Sequence, residues 1–146
     1  LEQSSTAVEL SVQLAISAGL VLIMTIIHSL GLLGISKVLR LKDDRLREHD
    51  FNFGAVVLMG SFGMLVFALH VFEIFVFAGF YLLVGALSNF AEALYYSASA
   101  YATLGRTSDY FPEDWRLIGA VEALAGFILI GWSTAFMVSA MRKLTE

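Results

Sequence analysis

Cysteine is absent from the chain, which excludes disulfides, zinc-thiolate sites and thiol nucleophiles. Charge is scarce: 15% of residues are Asp, Glu, Lys or Arg, against about 25% in an average soluble domain. That leaves too little polar surface to cover a water-soluble globule. The net charge of −4 offers no basic field, so nucleic acid is excluded as a partner. Proline occurs once, at Pro112, and the long apolar runs contain no helix breaker. The opening LEQSSTAVE lacks the basic segment of a signal peptide. Nucleophile-base pairs, phosphate-binding glycine loops and metal-ligand clusters are missing too. GWSTA, residues 131–135, contains Gly-x-Ser without the second glycine of a nucleophile elbow. An enzyme is not expected, nor a cofactor or resident metal.

What is present is apolar. Hydrophobic residues make up 58% of the chain and the mean hydropathy is +0.79, which reads as an integral membrane protein surrounded by lipid. A first run covers residues 7–39 without a charge between Glu9 and Lys37, comfortably above the roughly 20 residues that a span needs. The polar stretch KVLRLKDDRLREHD follows, read as a solvated loop over residues 37–50. A second run, residues 51–87, contains His70 and Glu73 and would form a helix of about 55 Å at 1.5 Å per residue. No Pro, Asn or Asp divides it, so it is read as one helix whose Phe53 end projects beyond the bilayer. A third run covers residues 115–141 and closes on Arg142 and Lys143.

Charge then orients the chain. Five of the nine basic residues lie between Lys37 and Arg47, and Arg142 and Lys143 bring the total near the two clusters to seven. Cytoplasmic loops are enriched in such residues, and the two clusters share a side only if the second run crosses once and the next segment re-enters. The N-terminus is then outside and the C-terminus cytoplasmic. The re-entrant segment begins at Ser88 or Asn89, either of which can cap a helix, with Glu92 in the first turn where the helix dipole favours an anion. It runs about fourteen residues to Ala102, too short to cross. Irregular backbone at that depth is tolerated only when buried in protein or lining a watery cavity.

The order of helix, re-entrant helix, Thr-x-Gly, loop and closing helix resembles the pore module of the two-transmembrane potassium channel family. EALYYSASAYATLG followed by WRLIGAVEALAGFILIGWSTAF is similar to its small bacterial members, over about residues 66–141. The resemblance implies an all-α membrane protein with three transmembrane helices and a pore helix. Residues 1–50 would be an added helix with its basic loop, and residues 51–146 the pore module. It further implies a homotetramer in a bacterial inner membrane that conducts potassium or another monovalent cation. In the family, four copies of TVGYGD line up backbone carbonyls that replace the ion's hydration shell.

Here the signature is half kept. Thr103, Leu104 and Gly105 align with Thr-Val-Gly, but Arg106 stands at the tyrosine, Thr107 at the second glycine and Ser108 at the aspartate, unless an inserted residue gives Asp109 that role. A β-branched Thr107 resists the positive φ that glycine supplies. Two guanidinium groups several ångströms apart repel by about 2 kcal/mol at an effective dielectric of about 20. Arg106 therefore either opposes cations at the mouth or is clamped by Glu92, Asp109, Glu113 or Asp114. Weakened selectivity is expected. The alternative is a non-conducting subunit with a structural or regulatory role in a membrane complex.

His70, Glu73 and Glu122 within the apolar runs are read with Glu92 as a buried polar network. His70 and Glu73 are three apart on one face, half of a metal site or relay, and with no second such pair a packing role is expected. Gly119 with Ala123, and Gly131 with Ala135 and Ser139, form small-residue stripes suited to close helix approach. By resemblance, Gly126 and Gly131 are also gating-hinge candidates. Tyr95, Tyr96 and Tyr101 either pack the pore helix or form an interfacial belt.

Overall fold

The computed structural model describes residues 2–43, 53–105 and 111–145. Within them the chain is helical: α1 (Glu2–Asp43), α2 (Phe53–Leu83), α3 (Phe90–Tyr101), a 3-10 turn (Glu113–Trp115) and α4 (Arg116–Thr145). Three stretches are long and apolar enough to cross a bilayer: Leu10–Val38, Val56–Leu83 and Glu113–Arg142. From Phe53 to Leu83 the second run is a single uninterrupted helix, as the lack of a turn signal required. At 12 residues, α3 is about 18 Å long, little more than half of a hydrocarbon core of about 30 Å. The expected architecture of three spans and one half-crossing helix is present.

One boundary differs from the expectation. The polar stretch after the first span is not all loop, because α1 continues to Asp43. Leu39, Arg40, Leu41 and Lys42 are strong helix formers, and no glycine or proline among them breaks the run. Residues 44–52 lie outside the described set.

The outward faces are lipid-like. Leu22, Leu30 and Leu33 of α1, Phe53 and Phe67 of α2, and Leu124 and Phe127 of α4 are all exposed, a pattern that water would oppose and hydrocarbon does not. Inside, Phe77, Ala78 and Tyr81 of α2 pack with Ala93, Tyr96 and Ala100 of α3 and Ile118 and Leu129 of α4. A second apolar cluster, Ile35, Phe62 and Val66 with Phe136 packed against it, joins α1, α2 and α4 beyond the end of α3. The first span therefore packs against its own chain. Tyr96 and Tyr101 are buried while Tyr95 is exposed, so the three tyrosines divide between packing and surface. Tyr96 stacks on Phe111, ring centroids 3.9 Å apart, and Tyr81 meets both rings edge-on at 5.3 and 5.4 Å. These pairs, each contributing about 0.5–1.5 kcal/mol beyond area burial, fasten the segment after residue 110 to α3.

Small residues set how closely α4 approaches α3. A Cβ on Gly126 would lie 2.3 Å from the backbone oxygen of Tyr101, and one on Gly119 would lie 2.1 Å from the Tyr96 hydroxyl. Gly126 is therefore a contact point, and α4 runs unbroken through it. Gly131 meets nothing within 4 Å. Gly126→Ala should lower stability by about 1–3 kcal/mol, since backbone must move. Gly131→Ala should be neutral or raise it by about 0.5–1 kcal/mol through helix propensity. Thermal unfolding of the two variants in one detergent checks the contrast.

Candidate functional site

The start of α3 is fixed locally. The side chain of Asn89 accepts from the backbone N–H of Ala91 at 2.8 Å and more weakly from Glu92 at 3.4 Å, which selects Asn89 over Ser88 as the cap. Glu92 is exposed and joins no buried network, contrary to the sequence reading. Its position in the first turn leaves it at the open end of the helix rather than in the packed middle.

The end of α3 repeats the end of α2. The backbone N–H of Ala86 bonds the carbonyl of Tyr81 at 2.9 Å and that of Gly85 bonds Leu82 at 3.1 Å. At the close of α3, Leu104 bonds Ser99 at 2.9 Å and Thr103 bonds Ala100 at 2.9 Å. Both are Schellman closures, in which the residue just past the helix takes the left-handed conformation. At the first it is Gly85, with φ 69°; at the second it is Thr103, with φ 57°. A β-branched residue there is strained by about 1–2 kcal/mol. Residues 103–105 are exposed on the single chain, and Gly105 also has a positive φ of 62°. Arg106, Thr107, Ser108 and Asp109 lie outside the described residues.

Two buried polar centres hold α3 from either side. In the first, Glu122 of α4 accepts from the Tyr81 hydroxyl of α2 at 2.5 Å and from the Ser97 hydroxyl of α3 at 2.5 Å. Ser97 also lies 2.9 Å from the carbonyl of Ile74. Glu122 and Ser97 are fully buried, and a buried carboxylate needs such partners.

The second centre gathers all four long or re-entrant helices. Glu73 of α2 lies 2.9 Å from His28 Nδ1 of α1 and 3.2 Å from His70 Nδ1, and the Tyr101 hydroxyl of α3 donates to its Oε2. His70 Nδ1 is 2.8 Å from the same hydroxyl. The Ser133 Oγ of α4 lies 3.0 Å from His70 Nε2 and 3.2 Å from His28 Nε2. His28 and Glu73 are fully buried.

The structure thus brings His70 and Glu73 together as expected, separates Glu122 into its own centre and removes Glu92. Sequence reasoning missed His28, Tyr81, Ser97, Tyr101 as a ligand of the network, and Ser133. His28 had a signal: it is the one residue able to carry charge between Glu9 and Lys37, and such residues in a span face the protein interior. The serines and tyrosines had none, because their types are common on any helix.

Residues 67–143 match the family model for ion channels, more than half of the chain. No curated protein and no solved structure matches it. The matched segment contains α3, residues 103–105 and both polar centres apart from His28.

The paired helix ends allow a matched test. Thr103→Gly should raise stability by about 1 kcal/mol, while Gly85→Thr should lower it by about 1–2 kcal/mol. Unfolding midpoints of the two variants check this, and equal shifts of one sign would contradict the assignment.

Proposed function

The chain belongs to the ion channel family, and from that premise we propose that it assembles as a homotetramer around a pore for monovalent cations, potassium among them. The observation that carries this reading is the half-crossing α3, which ends at exposed residues 103–105. Backbone of that kind within a bilayer needs a sheltering protein or a watery cavity. Four copies around an axis supply both, with the negative end of the α3 dipole directed at a cation.

Residues 103–105 form the inner part of the pathway, and residues 106–109 its mouth. The strain at Thr103 supports a role in the path, since left-handed non-glycine residues persist where surrounding structure holds them for function. Arg106 and Thr107 replace the residues that complete a potassium-selective outer filter, so selectivity is weak. Arg106 is read as a clamp on a neighbouring carboxylate, because an unpaired ring of guanidinium groups would repel cations. Glu113 already pairs with Arg116 at 3.2 Å on the surface, and Glu92, Asp109 and Asp114 are the other candidates. The basic clusters orient the chain with its N-terminus outside and its C-terminus in the cytoplasm of a bacterium. Residues 1–50 act as an added helix and loop before the pore module of residues 51–146.

Purified protein in vesicles should pass potassium with only weak rejection of sodium. Arg106→Tyr combined with Thr107→Gly should then raise the potassium preference by about tenfold, or about 1.4 kcal/mol. Strong sodium rejection by the unmodified protein would overturn the reading of the mouth. Absence of flux, with a native mass showing other subunits and no fourfold assembly, would favour a non-conducting subunit instead.

A further inference from the structure

We propose that His28, His70 and Glu73, completed by Tyr101, form a buried site for a divalent metal ion of the zinc class. Ligand atoms of the two histidines and the glutamate all lie within 4.8 Å of one another. They come from two helices far apart in sequence, and Tyr101 adds a third.

The donors and acceptors of the cluster are unevenly matched. Both imidazoles turn Nδ1 toward the Glu73 carboxylate and Nε2 toward the single oxygen of Ser133. A neutral imidazole carries one N–H, and a serine hydroxyl carries one proton and two lone pairs. If both rings keep the proton on Nε2, both donate to Ser133 and the oxygen is filled. Both Nδ1 atoms then direct lone pairs at a carboxylate that can only accept. If both rings keep it on Nδ1, two Nε2 lone pairs compete for one serine proton. With mixed tautomers His28 donates from Nδ1 to Glu73, Ser133 donates to His28 Nε2 and accepts from His70 Nε2, and the Tyr101 hydroxyl faces the His70 Nδ1 lone pair. That same hydroxyl also faces Glu73 Oε2, so two acceptors converge on one phenolic proton.

A divalent cation between the Nδ1 atoms, Glu73 and the Tyr101 oxygen would serve all of these acceptors at once. Two imidazoles and a carboxylate are a recurrent donor set for zinc and other borderline ions. The rings' second nitrogens are then N–H donors held by a common acceptor, which is the arrangement that orients metal-binding histidines. Here that acceptor is Ser133. Metal–nitrogen bonds of about 2.0–2.1 Å place tetrahedral ligands about 3.3 Å apart. The Nδ1-to-carboxylate separations of 2.9 and 3.2 Å need to open by a few tenths of an ångström, and the shorter Tyr101–Glu73 contact by more. The Tyr101 oxygen, 2.8 Å from His70 Nδ1, is the fourth ligand. When its phenolic proton leaves to solvent, two anionic ligands balance the ion and no net charge is buried. His70 retains 14% of its side-chain surface in the single chain, so the cluster is not sealed on that side.

Such an ion would fasten α1 and α2 to α3 two residues before Thr103. Its presence is independent of conduction, so either reading can fail while the other stands.

The test is metal analysis of untagged, detergent-purified protein, before and after chelation and zinc re-addition. One ion per chain is expected, together with a rise in unfolding temperature on zinc addition that chelator reverses. Glu73→Gln and His28→Gln should lose stoichiometric metal, and Ser133→Ala should weaken binding by about 10–100-fold while keeping all the ligands. Should the ligand variants fail to fold, the unmodified protein and Ser133→Ala still decide. Protein that holds no stoichiometric metal and shows no zinc-dependent shift would overturn the proposal.

Discussion

Within a bilayer an unpaired peptide group costs several kcal/mol, and the cost falls most heavily on a helix that stops halfway. Every part of this chain near α3 answers that constraint. Its first turn is capped by Asn89, and its last turn is closed by bonds from residues 103–105 back to Ser99 and Ala100. What remains bare points away from the chain at residues 103–105. The same closure ends α2 on Gly85 without strain, whereas α3 ends on Thr103 with strain. A chain that only needed to turn would use glycine at both places.

Position matters as much as satisfaction, and it is set by two buried glutamates. Ser97 and Tyr101 are four apart and so share one face of α3. Ser97 reaches Glu122 of α4 and Tyr101 reaches Glu73 of α2. The re-entrant helix is thereby held against both flanking spans at two levels. Glycines at 119 and 126 let α4 come close enough for this. The polar bonds supply register, and the close approach supplies rigidity.

The first span is part of this arrangement rather than an appendage. His28 lies against Glu73 and Ser133 and its ring meets those of His70 and Trp132 at 5.3 and 5.5 Å. Ion channel family membership covers residues 67–143, yet a group from α1 completes the centre beneath the end of α3. Glu73 thus meets α1 through His28 and α3 through Tyr101, two residues before Thr103.

Hydropathy determined that this is a membrane protein, because lipid imposes a minimum length and polarity that can be read residue by residue, and the missing turn signal with the placement of the basic residues fixed the crossings at three. Capping chemistry likewise located the start of α3, since Asn89 acts on its own neighbours. The half-kept Thr-x-Gly pattern pointed to the family. Tertiary structure alone decided which polar groups meet. His28 and Glu73 are 45 residues apart and Ser133 a further 60 from Glu73, and no local pattern encodes those distances. It also decided that Gly126 is a contact and that Glu92 stays outside, because both depend on which face of a helix another helix covers. Local chemistry is written in the order of residues, whereas partnership between helices arises only when the chain packs.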